Sequence, residues 1–113
     1  MLILSGPGKS IEVVLGGAVA TTQLPIVANW VDMVTTDQSV SAFGASDLTT
    51  SGATAVTVVA APQANHTRTL KSMSVYNADT ASAIVTVRLN NGVSTRILVK
   101  ITLGVGNTLE YVE

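Results

Sequence analysis

The stretch Ala83-Ile84-Val85-Thr86-Val87-Arg88-Leu89-Asn90-Asn91-Gly92-Val93-Ser94-Thr95-Arg96-Ile97-Leu98-Val99-Lys100-Ile101 decides the fold class. Two runs that alternate apolar and polar residues flank Asn90-Asn91-Gly92, and a period of two broken by turn residues is the pattern of a β-hairpin. With those three residues as the loop and Gly92 left-handed, Leu89 faces Val93, Val87 faces Thr95, Val85 faces Ile97 and Ala83 faces Val99. One face is then nearly all apolar. The other carries Arg88, Ser94, Thr86, Arg96 and Lys100, interrupted by Ile84 and Leu98. A two-residue Asn91-Gly92 turn would set Val87 against Arg96 and mix the faces, so the alternation selects the three-residue loop.

Outward from the hairpin, the pattern continues. Thr54 to Ala61 is a Val-rich strand, Pro62 to Thr67 a loop and Arg68 to Tyr76 a strand. Asn77-Ala78-Asp79-Thr80 is a turn whose side chains can bond their own backbone. Gly104-Val105-Gly106-Asn107 turns the chain into Thr108 to Val112. Towards the start, Leu2 to Leu4 and Ser10 to Leu15 are short strands around a Gly6-Pro7-Gly8 turn. Pro25 excludes a long helix, and Ile26 to Val34 fits a strand with a bulge, with Ile26, Ala28, Trp30 and Asp32 on one side and Val27, Asn29, Val31 and Met33 on the other. Thr35 to Gly52 has the Ser, Thr, Asp and Gly content of a loop. Seven to eight strands without helical periodicity predict an all-β chain: a single antiparallel β-sandwich or small barrel. Its single domain, 1–113, divides into N-terminal strands and a long loop (1–52) and a C-terminal meander (53–113).

Composition limits function. Charged residues make up 12% of the 113 residues and hydrophobic ones 47%, against roughly 25% charged in typical soluble domains. A small body has a high ratio of surface to volume, so much of its surface must be uncharged, which favours close contact with other protein. The net charge of −1 exerts no general pull on nucleic acid or anionic membrane. The chain has no cysteine, which excludes disulfides, thiolate chemistry and cysteine metal sites. No apolar stretch approaches the roughly 18 residues of a membrane span. The first residues lack the basic and apolar regions of a signal peptide, so synthesis in a cytoplasm is expected.

Catalytic motifs are absent. Gly6-Pro7-Gly8-Lys9-Ser10 ends like a phosphate-binding loop, but Ile3 stands where the earlier glycine belongs and the β-branched run Ile11-Glu12-Val13-Val14 replaces the required helix. His66, the single histidine, has no neighbouring ligands or nucleophile and reads as an exposed loop residue; with Asn65 and Thr67 it also spells a glycosylation sequon. The seven acids are scattered singly. No catalytic residue, metal ligand or cofactor site is expected. Arg88, Arg96 and Lys100, placed on one outward face with Ile84 and Leu98 as apolar anchors, read either as a solvated face or as a docking strip for acidic groups of a larger partner. Trp30 reads as core or as a further contact.

The segment Tyr76-Asn77-Ala78-Asp79-Thr80-Ala81-Ser82, its alternating valines, Arg96-Ile97-Leu98-Val99-Lys100 and Leu109-Glu110-Tyr111-Val112 resemble the C-terminal half of small virion proteins of tailed bacteriophages. The resemblance covers roughly residues 68 to 112. It implies a β-rich, oligomeric subunit without catalysis, located in the virion and in the host cytoplasm during assembly. A head decoration or cement subunit is expected, self-associating as a trimer or otherwise and docking on the major capsid protein or another virion subunit, with no nucleic acid or membrane partner. A tail, collar or fibre component and a free carbohydrate- or ligand-binding sandwich are the alternatives.

Overall fold

The computed structural model describes residues 1–5 and 8–113; the expected Gly6-Pro7-Gly8 turn lies largely outside them. Nine strands follow one another: β1 (Leu2–Ser5), β2 (Ser10–Leu15), β3 (Pro25–Val34), β4 (Val40–Thr49), β5 (Val56–Val59), β6 (His66–Tyr76), β7 (Ala83–Asn90), β8 (Thr95–Leu103) and β9 (Thr108–Val112). They form two antiparallel sheets. One has the order β1-β6-β3-β4, with β9 pairing to the same side of β6 beyond β1; the other has the order β5-β2-β7-β8. The chain is all-β, and the sheets pack as a sandwich of 47 × 26 × 18 Å.

The alternation that marks the strands also makes the core. Ile11, Val13 and Leu15 of β2 and Val85 and Val87 of β7 turn one set of side chains inward, where they meet Ile26 and Ala28 of β3 and Leu70, Met73 and Val75 of β6. Each such aliphatic side chain contributes about 1.5–3 kcal/mol by leaving water. The two faces assigned to Ile26 through Met33 are those observed. The bulges lie in the neighbours of β3 instead, since Asn29 pairs with Ser72 and Trp30 with Leu70, leaving Lys71 extra, while Ser41 is extra on β4.

Three expectations change. Val40–Thr49, read as loop, is a ten-residue strand; it sits on an edge of its sheet, where only alternate positions of its second half are partly covered, so it needs few large apolar side chains. His66, placed in a loop, opens β6 and is partly covered. The hairpin loop is one residue longer than predicted and its register differs. Asn90 pairs with Thr95, Leu89 with Arg96 and Arg88 with Ile97; Leu98 is then extra, and Val87 pairs with Val99 and Thr86 with Lys100. Gly92 does adopt a positive φ of 87°. The loop Asn91–Ser94 is held by the Asn91 N–H donating to Ser94 O at 3.1 Å and by the Asn91 side chain accepting from Val93 and Ser94.

Candidate assembly surface

The observed register redistributes the five hairpin residues expected on one outward strip. Arg88 and Lys100 lie on the outward face, and Ile84, opposite Thr102, lies there too. Arg96 pairs with Leu89, an inward position, and therefore points to the other side. Leu98 is the bulge residue beside the inward Val99, and both line the gap between the sheets. Ile97, opposite Arg88, takes the outward place that had been assigned to Leu98. A bulge of this kind places two residues against one and re-aims the side chains after it. The apolar triplet Ile97-Leu98-Val99 is the one break in the alternation of β8, and it is where the bulge falls.

Arg88 is not a solvated cation. Its Nε donates to Glu12 at 2.9 Å, and Asn90 Nδ2 donates to the other Glu12 oxygen at 2.7 Å. The Asn90 hydrogen bond, reinforced by Arg88 against the opposing effect of burial, holds the Glu12 carboxyl below its ordinary pKa. Arg68 is paired with Asp32 and Lys71 with Glu113. Arg96 and Lys100 make no ion pair among the described residues, and both belong to β8. The acids without a cation or backbone partner are Asp47 on β4 and Glu110 on β9.

The flank bounded by β8 and β9 is open. Gly104–Asn107 carries the chain from β8 in one sheet to β9 in the other, so both edge strands border the same gap. Between them runs an apolar groove of about 320 Å³ lined by Leu70, Met73, Leu98, Val99, Leu109 and Tyr111 among others. Val99 and Ile101 face inward by register yet remain 39% and 40% exposed, and Leu98 is 42% exposed. The Tyr111 hydroxyl is buried there without a hydrogen-bond partner. Large apolar side chains left in water beside unpaired strand edges mark a contact surface or an aggregation hazard.

The remaining polar clusters are structural. Trp30 turns inward against the core, so it contributes nothing to the exposed strip; the Arg68 guanidinium stacks 3.7 Å from its ring centre. That guanidinium also donates to both Asp32 oxygens at 2.7 and 2.9 Å and to Ala60 O at 2.8 Å, so three of its five N–H groups are committed within the chain. Gly44 accommodates the ring: a Cβ there would lie 2.5 Å from Trp30 Cζ2. Asp79 accepts from the N–H groups of Ala20, Thr21, Thr22 and Thr80. Those donors, Ala20 first, outweigh burial and hold its carboxyl far below the ordinary carboxylate range. The His66 ring lies 2.8 Å from Ala64 O through Nδ1. Lys9 Nζ donates to Ser5 Oγ, and Ser10 begins a strand instead of a helix, as expected. Among the described residues no group of three His, Cys, Asp or Glu could hold a metal ion.

Comparison with known protein families, curated proteins and solved structures returns no match. The surface between β8 and β9 therefore has to be interpreted from its own chemistry.

Proposed function

We propose that this chain is a non-enzymatic structural subunit of a bacteriophage virion, a head decoration or cement protein that works by self-association and by docking on the shell. The observation that carries the reading is β8: an edge strand with Ile97, Leu98, Val99 and Ile101 all exposed and with two cations that have no ion partner among the described residues. A lone soluble domain gains nothing from leaving those side chains in water, whereas a subunit covers them in its contacts. A symmetric shell then multiplies modest contacts into avidity. The low overall charge supports the same reading, because few side chains must shed tightly held water on burial.

The test is direct. Phage heads assembled without this chain are mixed with the purified protein and occupancy is measured across a salt series. Saturable occupancy that falls as salt rises is expected, because exposed charge pairs are screened over about 10 Å at 0.1 M. Absence of binding to heads at low salt, with binding to isolated tails instead, would move the chain to the tail or collar; binding to neither would end the virion reading.

A further inference from the structure

We infer that two copies of this chain dock flank to flank about a two-fold axis parallel to the strands, β8 of each adding to β9 of the other. This deepens the assembly reading above by naming the partner and the surface. It can fail while that reading survives.

The argument starts from the edges. Among the described residues β8 is paired only with β7, and β9 only with β6, so each presents an unpaired row of backbone donors and acceptors along the same flank. Such rows recruit a further strand unless charge or irregularity prevents it. The charges here discriminate between partners. Two β8 strands side by side would set against each other strands that carry Arg96 and Lys100 and no acid, so neither face could offer a complementary charge. β9 instead offers Glu110, exposed and without an ion partner among the described residues. Cationic edge on acidic edge is therefore the favoured pair.

Symmetry then follows from topology. Because the Gly104–Asn107 turn joins β8 directly to β9 across the gap, the two strands run in opposite directions on one flank. Rotation by half a turn about an axis along the strands keeps every strand direction and exchanges the sheets. It sets β8 of each copy antiparallel to β9 of the other, and both pairs form at once. A three-fold ring about the same axis would also pair each β8 with the next copy's β9, but it would bend the joined sheets sharply at every seam and leave the grooves facing a central channel; the two-fold keeps each joined sheet continuous and closes groove on groove, so the flank favours a dimer as the unit of assembly. β8 has nine residues and β9 five; β1 continues the edge along β6 beyond β9 and receives the remainder.

The groove supplies the apolar part of the contact. Closing one flank on the other covers Leu98, Val99 and Ile101 in both copies and brings a second chain over the Tyr111 hydroxyl, which has no partner among the described residues. Burial of those side chains is the non-directional driving force; the charges fix which edge meets which.

Sedimentation velocity of the purified chain, from low micromolar to submillimolar concentration and at two salt levels, tests this. The expected result is a monomer–dimer equilibrium weakened by salt. Glu110→Lys should raise the dissociation constant about tenfold or more, and the combined Glu110→Lys, Lys100→Glu swap, at two positions of the outward face, should restore dimerisation. Both positions are exposed, and circular dichroism checks that the variants stay folded. Leu98→Gln gives a charge-independent arm and should weaken the dimer several-fold. A wild-type monomer at every concentration, a trimer, or a dimer indifferent to Glu110→Lys would overturn the inference. Heads filled by a strictly monomeric protein would overturn the flank dimer and leave the structural-subunit reading standing; a charge-dependent dimer that never binds heads would do the reverse.

Discussion

The corner built on Asn77 and Asp79 and the flank between β8 and β9 begin at the same turn, Gly104–Asn107, and leave opposite kinds of group behind. At the corner, fully buried Asn77 donates through Nδ2 to Ala81 O and Leu103 O and accepts from Asp79 N–H, while its backbone bonds Asn107 and Gly106. The side chain and backbone of Asn77 and the carboxylate of Asp79 all find their partners inside the chain. Along the flank, strand edges and apolar side chains have none. A chain leaving one sheet for another exposes backbone groups that only polar side chains can satisfy, so the corner must be self-sufficient. A strand edge has no such obligation in water, so it can be left for another chain.

The largest effect is expected at the self-sufficient end. Asn77→Ala removes two donors and an acceptor from a site with no exposure, leaving Leu103 O, Ala81 O and the Asp79 N–H unsatisfied around a small cavity. A loss of about 3 kcal/mol in denaturant unfolding is expected. A loss below about 1 kcal/mol would mean that the corner is not self-sufficient.

Acid should act on the same corner. The folded-state pKa of Asp79 is depressed, as are those of Glu12 through Asn90 and Asp37 through the Ser39 N–H. A depressed carboxyl contributes stability that is present above its unfolded pKa and is lost as pH falls toward the folded one. Stability should therefore decline once pH drops below the ordinary carboxylate value of 3.8 for Asp79. Asp79→Asn should be destabilised at pH 7, because one charged acceptor of several N–H groups becomes a donor. Its deficit relative to the wild type should shrink between pH 4 and pH 2. A deficit that stays constant over that window would show that the carboxylate charge is not what the Ala20 to Thr22 amides hold.

Legibility followed the same division. β2, β3 and β7 could be read because each alternates and buries one side, so pattern and packing coincide. β4 could not: on an edge with Ser41, Ala42, Ser46 and the exposed Phe43, it pairs its backbone while burying little, and periodicity carries no signal without burial. Asp79 is legible as a turn residue, but three of its four backbone donors lie 57 to 59 positions away, a pairing no local spacing reports. On the open flank, the alternation alone sets Leu98, Arg96 and Lys100 on a single face as candidate contacts. The bulge divided that face, and its only trace was the run Ile97-Leu98-Val99. Glu110 carried no signal at all until β9 was placed beside the groove.

The two arginines of the hairpin give the finest version of the comparison, since one belongs to the closed system and the other to the open flank. Arg88 is 29% exposed in its side chain and holds Glu12, whose side chain is 11% exposed. Arg88→Ser leaves that carboxylate with Asn90 as its side-chain donor, and a loss of about 1–2 kcal/mol is expected. Arg96 has no partner among the described residues, and an exposed polar substitution there should shift stability by no more than about 0.5 kcal/mol. Measured at a protein concentration low enough to keep the chain monomeric, denaturant curves of the two single variants should separate by that margin. The separation should narrow as pH falls and Glu12 takes up its proton, because the cost of Arg88→Ser is the cost of an under-satisfied charge. Equal losses would mean that Arg96 has an intramolecular role, and β8 would then lose half of the positive charge it is argued to offer a second copy.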